Sequence, residues 1–117
     1  MSLTFDEHLQ VWNTLIRSSE ADARGLARRY VLEHMLDEVV ARVRARLSAD
    51  GEEIEPPDLL VSVAGFSPET TVIACRALQP RRLVVITSEG ADVGLNEIAD
   101  HVLGPGRLSQ KDFNHQL

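Results

Sequence analysis

The chain has 117 residues and a mass of 13.0 kDa, which is the size of one domain and excludes a large multidomain enzyme. A net charge of -6, from 12 basic and 18 acidic side chains, excludes binding of duplex DNA by general phosphate neutralisation. No apolar run approaches the roughly 20 residues that span a bilayer, no export signal is recognisable, and one cysteine cannot form an intramolecular disulfide. We therefore expect a cytoplasmic protein that is not embedded in a membrane.

The first fifty residues are predicted to be helical. Thr4 and Glu7 have the spacing of a capping box, which predicts that a first helix begins there and runs to Arg17. Its apolar stripe consists of Phe5, Leu9, Trp12 and Ile16.

A second helix is predicted from about Glu20 to Leu47. Its apolar stripe consists of Leu32, Leu36, Val39, Val43 and Leu47. At about 1.5 Å per residue such a helix would extend roughly 40 Å. Because that length exceeds what a domain of this size can cover, we expect the helix either to break or to pack on a partner.

The composition changes in residues 51–58, which are acidic and contain a glycine and paired prolines. This segment is predicted to be a linker between a helical segment, 1–50, and a second part, 59–117. In the second part, two short apolar runs, Leu59–Ala64 and Leu83–Thr87, are typical of strands buried on both faces of a parallel sheet. A helix is predicted after each strand, the first ending before Pro80 and the second capped by Asp92.

The sequence therefore predicts an α/β fold, in which a Rossmann-like βαβα unit with parallel strands follows two N-terminal helices. The tail from Arg107 is polar, and a further helix is predicted to start at Ser109. No third strand of comparable strength is recognisable. Because two parallel strands do not make a stable sheet, we expect another copy or more chain to complete it.

The most informative segment lies between the first strand and its helix, where open α/β sheets bind ligands. Gly65 would let a ligand approach the backbone, and the hydroxyls of Ser67 and of Thr70 or Thr71 could bind a phosphate or a ribose. The alternative is that Ser67 only caps the helix and Gly65 only makes the turn. The GxGxxG and GxxxxGK[ST] motifs are both absent, so neither a dinucleotide nor a P-loop site is predicted.

A second polar loop begins with Thr87 and Ser88, after the second strand. Consecutive strands of a βαβ unit usually lie side by side, so both loops should border one crevice. The alternative for this loop is a solvated turn.

Two sequence runs resemble the opening of a CARF domain, the CRISPR-associated Rossmann fold. They are LVSVAGFSPE (60–69) and LQPRRLVVITS (78–88), and the resemblance covers about residues 59–104. In common with that family they have an apolar strand, a Gly and Ser-Pro turn, a helix, a second strand after a proline and a polar loop. The later strands and the second ligand-contacting motif of the family are missing from this sequence.

The resemblance implies a homodimeric sensor of a cyclic oligoadenylate, with the ligand at the strand ends across the dimer interface. It places one group of residues on the first ligand loop and another on the loop after the second strand. The first group is Gly65, Phe66, Ser67, Pro68 and Glu69, to which the pattern of hydroxyls adds Thr70, and the second is Thr87 and Ser88.

Two alternatives remain open. The chain could be an assembly module that dimerises through the stripe of the second helix, with the βαβ unit as scaffold. It could also be a ring nuclease that cleaves the cyclic ligand by positioning a ribose 2′-hydroxyl for attack, although no general base is recognisable.

No cofactor or metal is expected. The four histidines lack metal-ligand spacing, and Cys75, on an apolar helix face, is expected to be a small buried hydrophobe rather than a nucleophile.

Overall fold

A computed structural model of the chain describes residues 3–48, 55–64, 68–87 and 92–116. Within these ranges the chain forms helices and a three-stranded parallel sheet. The helices are α1 (Phe5–Ile16), α2 (Ala23–Tyr30), α3 (Leu36–Leu47), α4 (Pro68–Leu78) and α5 (Asp92–Val102), and the strands are β1 (Leu60–Ala64), β2 (Leu83–Thr87) and β3 (Phe113–Gln116). None of the described helices is long and apolar enough to cross a membrane.

The capping box that begins α1 is confirmed. The Thr4 hydroxyl accepts a hydrogen bond from the backbone N–H of Glu7 at 3.2 Å, and the backbone N–H of Thr4 donates to the Glu7 carboxylate at 3.0 Å. The bond from the backbone of Thr4 lowers the pKa of Glu7, since it stabilises the ionised form. The helix therefore starts where the sequence predicts.

The predicted long second helix is interrupted by one wider turn. A π-helical turn, Val31–Met35, separates α2 from α3, and Met35 has a φ of -121° where an α-helix would have about -63°. Leu32 and Leu36 are buried beside this turn, whereas Leu47 at the far end of the stripe is 51% exposed. The helical run thus still extends from Ala23 to Leu47, with one π-helical turn inside it.

The helical segment and the sheet share one hydrophobic core. Leu32 and Leu36 lie in the same buried cluster as Leu83 of β2 and Ile98 of α5. Arg28 of α2 also forms a two-pronged ion pair with Glu97 of α5, with N–O distances of 2.8 and 3.2 Å. Both side chains are only 20% exposed, so the fork is well shielded from solvent.

The expectation of only two strands is wrong. β3 pairs in parallel with β2, in a register that places Leu83 opposite Phe113 and Val85 opposite His115, so the sheet order is β1-β2-β3. The sequence of β3, FNHQ, has one apolar residue, and its backbone hydrogen bonds to β2 are independent of side-chain hydropathy. The helix predicted from Ser109 is also wrong, since a short 3₁₀ turn, Gln110–Asp112, leads directly into β3.

One face of the sheet packs against α4 and α5. Leu83, Val85 and Thr87 of β2 alternate toward this face and are buried. They meet Val72 of α4 and Ile98 of α5, both fully buried.

The opposite face of the sheet is exposed, which contradicts the prediction that both strands are buried on both faces. Val61 is 52% exposed, Val63 is 77% exposed and Ile86 is 37% exposed. Right-handed crossovers in the strand order β1-β2-β3 put α4 and α5 on the same side of the sheet. Among the described residues no helix therefore covers the second face, although its side chains are as apolar as those of the first.

Ile98 of α5 and Ile86 on the exposed face of β2 provide a matched test of the packing. Ile98→Ala should lower the free energy of unfolding by about 2–5 kcal/mol, since it leaves a cavity in a fully buried site. Ile86→Ala deletes the same atoms from the partly exposed face and should cost less than half as much. Urea unfolding followed by circular dichroism measures both, and equal losses would contradict the one-sided core.

Candidate functional site at the carboxyl edge of the sheet

The carboxyl ends of β1, β2 and β3 meet at one edge of the sheet because all three strands are parallel. α4 begins at Pro68, shortly after β1, and α5 begins at Asp92, shortly after β2. Both helices therefore direct their N-termini, with unpaired N–H groups and the positive dipole end, toward this edge. Proline suits the first position of α4 because that position needs no N–H donor.

Thr87 and His115 form a side-chain pair at this edge. The Thr87 Oγ1 lies 2.5 Å from the Nε2 of His115, and Thr87 is only 6% exposed. His115 lies two residues after Phe113 on the same face of β3, and its ring is half-buried. The hydroxyl donates when Nε2 is unprotonated and accepts when Nε2 carries a proton, so the pair can present either polarity to a ligand.

Glu69 provides a carboxylate at the start of α4. Its Oε2 is shielded from solvent and accepts no hydrogen bond from any residue that the structure describes. A buried acceptor without a donor is costly, so this oxygen is suited to a ligand N–H or O–H. Pro68 beside it is buried, and Thr70 is exposed on the first turn.

Four of the predicted site residues, Gly65, Phe66, Ser67 and Ser88, lie outside the described residues. Thr71, offered by the sequence as an alternative to Thr70, is turned inward. Its hydroxyl lies 2.7 Å from that of Ser62 and is 2% exposed, so it joins α4 to β1 rather than facing a ligand.

Sequence reasoning missed His115 because it missed β3. The remaining described histidines lie elsewhere: His8 in α1, His34 in the π-helical turn and His101 in the last turn of α5. The two-residue spacing of Phe113 and His115 was the available signal for a strand, but many loops have the same spacing. Parallel pairing with β2 is what brings this imidazole to Thr87.

The edge has no strongly basic side chain among its described residues. The strand ends and the first turn of α4 contain neither Lys nor Arg, and Arg81 and Arg82 are exposed at the opposite end of β2. An anion at the carboxyl edge would thus depend on helix N–H groups, on hydroxyls and on His115. No cluster of three or more His, Cys, Asp or Glu side chains that could hold a metal is found in the parts of the chain described.

Comparisons with protein-family models, with curated proteins and with solved structures find no match to this chain.

Cys75, in the middle of α4, is buried as the sequence predicts. Its burial raises the pKa of the thiol to about 11 from a usual value of 9.0, with a smaller opposing effect of the Arg76 charge. At pH 8 the thiolate fraction should be about 100-fold lower in the folded chain than in the unfolded chain, because each pKa unit is a factor of ten.

We therefore expect Ellman's reagent to modify native Cys75 very slowly at pH 8 and to modify it rapidly in 6 M guanidinium, as absorbance at 412 nm would record. Reaction should accelerate as the pH rises toward 11. Equal rates in the folded and unfolded chain would show that the thiol is accessible and ionised.

Proposed function

We propose that the chain is a CARF-like sensor domain with a Rossmann-like fold, which works in the cytoplasm as a homodimer. Its ligand is a cyclic oligoadenylate bound at the carboxyl edge of the sheet. The observation that carries the proposal is the Thr87–His115 pair at that edge, in the region where α/β sheets of this type receive their ligands. The resemblance of residues 59–104 to the CARF family supplies the identity of the ligand.

The chemistry of the edge complements such a ligand at two kinds of atom. Phosphodiester oxygens accept hydrogen bonds, which Thr87, protonated His115 and the first N–H groups of α4 can donate. Ribose hydroxyls and the adenine amino group donate hydrogen bonds, which the unpartnered Oε2 of Glu69 can accept.

A two-fold symmetric dimer would present each of these groups twice. A ring built from an even number of identical nucleotides repeats its phosphates and bases in the same way, so one ring could contact both copies equally. This match of symmetry favours a closed ring over a single mononucleotide, which could occupy only one copy at a time.

Isothermal titration calorimetry with cyclic tetra-adenylate and cyclic hexa-adenylate tests the proposal. We expect one ring to bind per two chains. Thr87→Val should weaken binding about tenfold, because it removes a hydrogen-bonding hydroxyl and keeps the shape, whereas Thr87→Ser should stay close to the parent. Circular dichroism of each variant checks that the fold is intact.

The absence of heat at tens of micromolar protein, for both rings, would overturn the proposal. Chromatography of each ring after overnight incubation with the protein tests the ring-nuclease alternative. A linear product that disappears in His115→Asn would make His115 the general base that sequence reasoning did not find.

A second candidate is an assembly module, and the exposed sheet face favours it. The version based on the second helix loses two of the five residues of its stripe, because Leu32 and Leu36 lie in the chain's own core. Val61 and Val63, by contrast, lie on a face that parallel sheets usually bury. Self-association through the sheet would bury these side chains without bringing charged strand residues together.

Two matched charge substitutions distinguish between the exposed sheet face and α3 as the interface of a dimer. Val63→Asp should abolish any dimer that uses the sheet face, because it would bury a carboxylate without a partner. Val39→Asp should do so only if α3 is the interface. Light scattering after size exclusion measures the mass, and a dimer that survives Val63→Asp would contradict the use of the sheet face.

A further inference from the structure

A cavity lies at the end of the sheet opposite to the carboxyl edge. It has a volume of about 730 Å³, within the range of small-molecule sites. Its walls come from α3, from the turn between α4 and β2, and from the segment between α5 and β3. Four arginines line it, Arg44, Arg76, Arg81 and Arg107, and we refer to it as the arginine cleft.

Two of these arginines converge on one backbone carbonyl. The Nε of Arg76 donates to the His101 oxygen at 3.0 Å, and the Nη1 of Arg107 donates to the same oxygen at 3.3 Å. The two guanidinium groups therefore lie within a few ångströms of each other. Burial lowers the pKa of Arg76 most, and the nearby charge of Arg107 lowers it further.

The ends of α4 and α5 account for part of this arrangement. Arg44 donates to the Ala77 oxygen at 2.7 Å, and the other two arginines satisfy His101, so all three stabilise carbonyls at helix C-termini. Each guanidinium has five N–H groups. Capping uses one from Arg44 and one from Arg107, and the remaining donors of Arg107 find no partner among the described residues.

The cleft is positively charged in a chain that is strongly acidic. Asp37 and Asp112 also line it, which leaves an excess of basic over acidic side chains, whereas the whole chain carries -6. Asp37 forms an ion pair with Arg76 at 3.3 Å, and the side chain of Asp37 is 98% exposed. Asp112 accepts a hydrogen bond from Ser109 at 2.8 Å. Neither carboxylate forms an ion pair with Arg107.

Most of the remaining lining is apolar. It includes Val40, Pro80, Val102 and Leu108, with the last three buried. The cleft thus combines an apolar wall with two adjacent guanidinium groups. This combination suits a molecule that has a flat apolar part and a group with several anionic oxygens.

We propose that the arginine cleft binds a phosphorylated small molecule, with its phosphate on Arg76 and Arg107 and its apolar part against Val40 and Val102. Phosphate is favoured over a single carboxylate because two guanidinium groups offer more donors than two oxygens can use. The adjoining depression shares Asp37, Arg76 and Arg107 with the cleft but adds the carboxylates of Glu33 and Glu38, which disfavour a phosphate on that side of the two arginines. The site is separate from the carboxyl edge and stands whether or not that edge binds a ring.

Titration calorimetry with three probes tests this assignment. ADP has both a diphosphate and a flat adenine ring, pyrophosphate has only the phosphates, and adenosine has the ring and ribose without phosphate. We expect ADP to bind most tightly and adenosine not to bind measurably. Arg107→Gln should weaken ADP binding about tenfold or more, because it removes a charged donor from an exposed position where the fold should tolerate the change.

Arg46→Gln is the matched control, since it removes the same charge from the exposed end of α3, away from the cleft. It and Thr87→Val should bind ADP like the parent. Failure of all three probes to bind at millimolar concentration would overturn the proposal. Equal losses in Arg107→Gln and Arg46→Gln would also overturn it, since they would indicate general attraction of anions, and a loss in Thr87→Val alone would assign the ADP to the carboxyl edge.

Discussion

The packing of α4 and α5 on the same face of a parallel sheet is the constraint on which the rest of this molecule depends. It buries Leu83 and Val85 against Val72 and Ile98 with no measurable exposure, and Leu32 and Leu36 extend the same cluster toward the N-terminal helices. Because all three strands are parallel, each connecting helix runs back along the sheet, so the N-termini of α4 and α5 point toward one end of the sheet and their C-termini toward the other. Since the right-handed crossovers put both helices on one face, no helix among the described residues covers the second face.

The two ends of the sheet therefore offer different chemistry. At the carboxyl end, binding of an anion would rely on neutral or switchable donors, namely the Thr87 hydroxyl, the His115 imidazole and helix N–H groups. At the amino end, permanently charged arginines offset the negative ends of two helix dipoles, and their unused donors extend into a cavity. Hydrogen bonding would contribute most to the binding of an anion at the carboxyl end, and charge would contribute most at the amino end.

Periodicity and capping predicted much of the fold, and what they missed has identifiable causes. α1 starts at its capping box, and the apolar runs of β1 and β2 were recognisable because their side chains are almost all aliphatic. β3 was not recognisable, since FNHQ forms a strand only because β2 has an open edge for it. Because β3 was missed, His115 was missed too, and so was its contact with Thr87, which best distinguishes the carboxyl edge. The arginine cleft was equally hidden, because Arg76 and Arg107 are 31 positions apart and meet only at a carbonyl of α5.

Among the described residues, the order β1-β2-β3 also leaves two open edges, and β1 is the less protected of them. Its outward backbone groups have no strand partner among the described residues, and the flanking side chains, Val61, Ser62 and Val63, carry no charge. Natural edge strands are usually guarded by lysine, proline or a bulge, because a bare edge is a template for another strand. A strand that added beside β1 would leave both ends of the sheet open to ligands. Assembly by that route would multiply the sites along a sheet without blocking any of them.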